Sequence, residues 1–182
     1  MHKPLFAFLT LAALPAAALA QTPASGEWTV SGSAQGCIAH TTLPHGTVLS
    51  LLAGPGQDSL LFLMQNKGWS SLQEGSRHKV AVQLDGRSPW QFDAVARTEL
   101  DSDGPGLLFT VAPGEAEGAK FINELAGADG LNVGQNGKQL EGARLSGGGS
   151  AITRLAQCMS RMWGGTGSAP EAVAASSGGV PL

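Results

Sequence analysis

Cys37 and Cys158 are the residues of this chain most suited to covalent chemistry. They stand 121 positions apart, and neither has a near neighbour in the C-x-x-C spacing of structural zinc sites. The expected chemistry is therefore a disulfide. In the chain-entropy model, closing a loop of that length contributes about 4 to 5 kcal/mol. His40 and His45 flank a Pro-Gly turn, and His78 lies further on. Two imidazoles lack the third local ligand that a metal would need, so neither a metal nor another cofactor is expected.

Two glycine-rich stretches invite a catalytic reading. Gly130 to Lys138 fails as a phosphate loop, because Asn132 stands where the first glycine belongs and Gln139 follows the lysine. A hairpin around Asn136-Gly137 explains the stretch. Ser146-Gly147-Gly148-Gly149-Ser150 does not match G-x-S-x-G, and no lysine lies three residues after either serine. Helix capping by Ser146 or Ser150, with the glycines packing closely on a sheet, is the reading adopted. No pair of carboxylates can be assigned a hydrolytic separation, so no catalytic residue is named. Among the tryptophans, Trp28 and Trp90 sit inside alternating segments, whereas Trp69 follows a turn and Trp163 ends a helical segment. Trp69, with Lys67 in the same Gln65 to Gly75 connection, is the candidate binding contact. The rival reading has Trp69 folded back as a plug.

The elements that must position these residues follow from hydrophobic period. Short segments alternate or run apolar at 27–30, 37–42, 47–52, 60–64, 79–85, 90–96 and 107–111, with Gly/Pro turns between them. Asp85-Gly86 and Asn136-Gly137 are two-residue turn pairs. Ala119, Ile122 and Leu125 then recur at helical spacing within 115–126, with Gly127 as a stop. Strands at 131–133 and 139–145 flank the second turn pair, and a last helix runs from about Ser150 to Met162 with Ile152, Leu155, Met159 and Met162 on its apolar stripe. This order predicts a mainly β chain, an antiparallel sandwich of short strands with two late helices.

The first twenty residues have a positive start at His2 and Lys3, an apolar run from Leu5 to Leu14, and a small-residue end at Ala18-Leu19-Ala20. That is the pattern of a secretory signal peptide, so a periplasmic or secreted address is expected, where a disulfide persists. The apolar run is too short to cross a bilayer, and no later segment is long enough. After residues 1–20, the reading is a leader at 21–26, one domain over 27–163, and a disordered tail at 164–182. Removing 1–20, which carry Lys3 and no acidic residue, moves the net charge from −3 to −4. Only Arg77, His78 and Lys79 cluster as bases, so nucleic acid is not an expected partner.

Trp28-Thr29-Val30, a cysteine soon after it, the meander of short strands, the helix before a late hairpin, and Leu145-Ser146-Gly147 leading to Ala151 together resemble small exported proteins of the invasion-associated locus B type found in alphaproteobacteria. The resemblance implies a periplasmic β-sandwich and carries over no active site. The single cysteine pair and the run of three glycines depart from that pattern. The functional expectation is a non-catalytic binding or accessory protein of the bacterial envelope, with an envelope protein as its possible partner. The alternative is a proteinaceous inhibitor or immunity protein acting on an envelope enzyme.

Overall fold

The structure is a computed structural model that describes residues 26–100 and 103–163. The expected signal peptide, all but the last residue of the leader, and the tail lie outside the described residues. In chain order the elements are β1 (Thr29–Ser33), β2 (Gly36–Thr42), β3 (Val48–Ala53), β4 (Leu60–Gln65), β5 (Arg77–Leu84), β6 (Trp90–Arg97), β7 (Gly106–Val111), α1 (Ala116–Gly127), β8 (Gly130–Gln135), β9 (Lys138–Arg144) and α2 (Gly148–Trp163). All nine strands pair antiparallel in one sheet of order β1-β2-β3-β4-β7-β6-β5-β8-β9. The mainly β class with two late helices is as expected. Curling of the sheet brings β9 against the turn between β2 and β3, where His45 meets Glu141, and this is compatible with a sandwich.

Both turn pairs adopt the positive φ that a right-twisted hairpin demands: Asp85 and Gly86 at 50° and 70°, Asn136 and Gly137 at 51° and 75°. Asp85 does more than turn the chain. Its Oδ1 accepts from the backbone N–H groups of Asp129 and Gly130 at 3.0 and 2.8 Å, which anchors the start of β8 beside the end of β5.

Because side chains alternate across a strand, one parity of each strand lies under the helices. Ala39, Leu51, Phe62 and Phe109 form one such row from β2 to β7, and Val80, Val82, Ala94, Leu131 and Val133 extend the buried face across β6, β5 and β8. The helix α1 enters this face through Phe121, Ile122 and Leu125. Phe121 stands edge-on to Phe92, Trp90 and Phe62 at 4.9, 5.6 and 5.8 Å, while Phe92 and Phe62 each stack on Phe109. Helical spacing places Ala119 on this stripe, but Ala119 is only half-buried, and Phe121 holds the central place. Gly118 lets the helix come this close, since a Cβ there would lie 2.0 Å from the Ala112 carbonyl oxygen.

The helix α2 packs against α1, β1 and β2. Its buried stripe is Ala151, Leu155 and Cys158, with Ile152 and Met159 half-buried. Met162 falls off that stripe and is 41% exposed. The glycines that start α2 pack on α1 instead of the sheet: a Cβ on Gly148 would be 3.0 Å from the Leu125 oxygen and one on Gly149 3.1 Å from that of Ala126. Neither serine caps α2: the helix starts at Gly148, Ser150 lies inside it, and the Ser146 hydroxyl donates to the Gly26 carbonyl at 3.1 Å.

Cys37 of β2 and Cys158 of α2 form the expected disulfide, with Cα atoms 6.1 Å apart. Its neighbour Gly32 leaves it room, since a Cβ there would be 2.7 Å from the Cys158 sulfur. Replacing both cysteines by alanine is expected to lower the unfolding free energy in urea by about 4 kcal/mol relative to the oxidised protein. A midpoint unchanged by the double substitution would show that the bridge adds no stability.

Candidate functional site

Three connections meet at one end of the sheet: the turn after β2, the long link between β4 and β5, and the link between β6 and β7. Asn66 ties all three. Its Nδ2 donates to the His45 carbonyl at 3.1 Å and to Thr47 Oγ1 at 2.9 Å, its backbone N–H donates to the Pro105 carbonyl at 3.0 Å, and its carbonyl accepts from Trp69 N–H at 3.0 Å. The candidate contact residues Lys67 and Trp69 therefore sit on an anchored segment. Lys67 is exposed, and its backbone lies close enough to Gly104 that a Cβ on that glycine would be 2.9 Å from Lys67 Cα. Trp69 is half-buried and packs against the core together with Leu72, leaving part of its ring in solvent.

The far end of the same segment is held by charge. Glu74 Oε2 accepts from Thr98 N–H at 2.6 Å and Thr98 Oγ1 at 3.2 Å, while Oε1 accepts from Arg97 Nη1 at 3.0 Å. The Thr98 backbone N–H, followed by the Arg97 guanidinium, holds the Glu74 carboxyl below the usual carboxylate range. A carboxyl lowered on folding stabilises the protein above its unfolded value of about 4.3, and that contribution is lost as pH falls through the lower folded value.

Two further constellations escaped the sequence reading. Ser76 Oγ lies 2.7 Å from His78 Nε2 and 2.7 Å from the Gln73 carbonyl, and His78 Nδ1 meets the Gln135 side-chain amide. One proton assignment satisfies all three contacts. The Ser76 hydroxyl has a single proton, which goes to the Gln73 carbonyl, so His78 donates from Nε2 and accepts the Gln135 amide at Nδ1. In that arrangement the imidazole does not take the serine proton, and the group fastens the β4–β5 link to β8.

The second constellation is the only buried charge among the described residues. Glu141 lies on the inner face of β9 opposite Val133, with its side chain fully buried. Its Oε1 accepts from His45 Nδ1 at 2.7 Å and from Gly142 N–H at 2.9 Å, whereas Oε2 has no partner among the described residues. Trp28 Nε1 and Thr41 Oγ1 are likewise buried without partners. Extending the β1–β2 register by one residue beyond Thr29 and His40 sets Trp28 opposite Thr41. His40 faces away from this cluster on the other side of β2, so the two histidines flanking the turn are not brought together. Among the described residues no group of His, Cys, Asp and Glu is placed to hold a metal.

The opposite face of the sheet carries a different surface. Rows through Ile38, Leu52, Leu61 and Thr110, and through His40, Ser50, Leu63, Leu108 and Val95, cross β2, β3, β4, β7 and β6. These aliphatic side chains are half-buried and stand apart from the core cluster under the helices. No Asp, Glu, Lys or Arg interrupts the rows, and Arg77 and Arg97 border them.

Comparison of the chain with protein-family models, with curated proteins and with solved structures finds no match.

Replacing His45 by alanine removes a partner of a fully buried carboxylate. The unfolding free energy is expected to fall by about 2 kcal/mol, with His45→Gln retaining part of it through its amide donor. An unaltered urea midpoint in His45→Ala would refute the role given to this contact. Glu74 provides a pH test: Glu74→Gln should flatten the acid limb of the stability curve below about pH 4.3. A Glu74 carboxyl that titrates by NMR at the ordinary value would contradict its pairing with Thr98 and Arg97.

Proposed function

We propose that this chain is an exported, non-catalytic binding module of the bacterial envelope, which docks an envelope protein on the helix-free face of its sheet. The address rests on the signal-like first twenty residues and on the cysteine pair, whose bridge suits an oxidising compartment. The observation that carries the binding role is the half-buried aliphatic surface of Ile38, Leu52, Leu61, Leu63, Leu108 and Val95, shared with the small polar residues Ser50 and Thr110. Contiguous apolar surface rimmed by polar residues is the usual mark of an interaction site. Because the rows carry no Asp, Glu, Lys or Arg, the matching surface is mostly apolar as well, and His40 and the bordering arginines set its rim. The resemblance to proteins of the invasion-associated locus B type agrees with an envelope setting.

A photo-cross-linking side chain at position 63 in protein recovered from the periplasm, beginning at Gln21, tests this reading, with position 150 on the exposed side of α2 as control. A discrete adduct from position 63 is expected, absent from position 150 and lost when Leu108→Lys is added. The Leu108→Lys change should weaken the contact by about 2 kcal/mol or more. An adduct of twice the chain mass in pure protein would make this face a contact between copies, and no adduct would leave it without a docking role; either result overturns the proposal.

A further inference from the structure

On the helix side of the molecule, an open surface groove of about 510 Å³, with Arg87, Lys120 and Asn123 exposed, lies between the solvent flank of α1 and the turn joining β5 to β6. Arg87 from the turn and Lys120, Asn123 and Glu124 from α1 supply its polar lining, and Ala116 and Ala119 supply an apolar wall. The hydrogen-bonding capacity here is unbalanced. Glu124, the one carboxylate, accepts the indole N–H of Trp90 at Oε2, 2.9 Å away. Lys120 holds its ammonium 5.2 Å from the centroid of the same indole ring, a contact that engages its charge and leaves its N–H donors open. The side chains of Arg87 and Asn123 have no partner among the described residues. Two cations, Arg87 and Lys120, against the one carboxylate of Glu124 leave the site an excess of positive charge, and with the amide N–H₂ of Asn123 it favours an acceptor that carries negative charge.

We infer that this groove binds a small carboxylate ligand, whose oxygens take the donors of Arg87, Lys120 and Asn123 while a short apolar body lies on Ala116 and Ala119. An Arg fork and a carboxylate match in plane and spacing. The Trp90–Glu124 hydrogen bond engages Oε2 of the site's own anion, which the two cations outnumber. Drawing Lys120 toward that ligand alters its position over Trp90, which makes the indole a reporter. The inference is independent of the helix-free face, because α1 lies on the other side of the sheet.

The test is a titration of the oxidised, isotope-labelled mature protein with sodium butyrate, followed by the amide resonances of Arg87, Lys120 and Asn123 and by the Trp90 indole N–H. Sodium phosphate and butanamide serve as separate arms at matched ionic strength. Saturable shifts with butyrate are expected, with affinity reduced about tenfold or more for butanamide, which lacks the charge. The Arg87→Gln, Lys120→Gln double variant, at two exposed positions, should reduce butyrate affinity to a similar extent while its spectrum elsewhere stays native. Ala119→Ser, a second variant that leaves the cations in place, should weaken butyrate and leave phosphate unaffected. Absence of saturable shifts with butyrate, equal binding of butanamide, undiminished binding by the double variant, or tighter binding of phosphate than of butyrate would each overturn the inference.

Discussion

The position of α2 depends on the Cys37–Cys158 bridge more than on the helix's own sequence. Its first turn begins with two glycines, poor helix formers, and its fully buried contribution is Ala151, Leu155 and Cys158 alone. A stripe with one large side chain is a modest anchor over β1 and β2, and the covalent link between β2 and the fourth turn of the helix makes up that deficit. With α2 held there, Arg154 reaches the Trp28 carbonyl at 3.0 Å and Leu125 finds a neighbour in the close approach of Gly148. The helix α1, anchored on the sheet by Phe121, Ile122 and Leu125, packs against α2, and the two close the core together.

The two faces of the sheet divide the residue types in a way that links fold to function. The inner face holds the aromatic group of Phe62, Phe92, Phe109 and Trp90, which Phe121 enters edge-on. The outer face is mostly aliphatic in its central rows, with Ser50, His40 and Thr110 as their polar members. Large rings fill the deep space beneath the helices, where directional contacts fix one arrangement. The shorter aliphatic side chains suit a flatter surface. A strand such as Leu60-Leu61-Phe62-Leu63-Met64, apolar at every position, is required by both faces at once.

Much of this architecture was legible because its signals are local. Asp85-Gly86 and Asn136-Gly137 announce their turns through a backbone requirement that few other residues meet, and the clean alternation of Val80, Val82 and Leu84 reveals both strand and face. The cysteine pair was legible from its even count and from the address that the first twenty residues suggest. Phe121 was passed over because helical spacing alone does not distinguish the residue at the centre of a stripe from Ala119 at its edge. Glu141 was hidden for a different reason: the irregularity between Val133 and Gly134 resets the pairing of β8 with β9, and Glu141 thereby turns to the inner face. The Ser76 and His78 pair, two residues apart on one side of a strand, was readable in principle, but its third member Gln135 comes from a strand paired through tertiary structure. Trp69 illustrates the same limit, since a residue beside a turn is placed by what the turn is tied to, and Asn66 reaches two other connections to do that.

The treatment of the sheet's two edges bears on how a partner would approach. An open edge strand offers unpaired backbone groups to any extended chain, and proteins blunt such edges with helices, bulges, short strands or inward-facing charges. Here β1 is short and α2 packs against it, with the Arg154 guanidinium on the Trp28 carbonyl. At the other end, β9 pairs irregularly with β8, carries Lys138 and Arg144 at its ends and turns the Glu141 carboxylate inward. Strand addition is disfavoured at both edges by separate means. The surface left for the proposed docking is the broad aliphatic face, which engages side chain against side chain and leaves the sheet's hydrogen bonds intact. Such a contact is selected by shape and by absence of charge, and it leaves the donor-rich groove beside α1 free to act on its own.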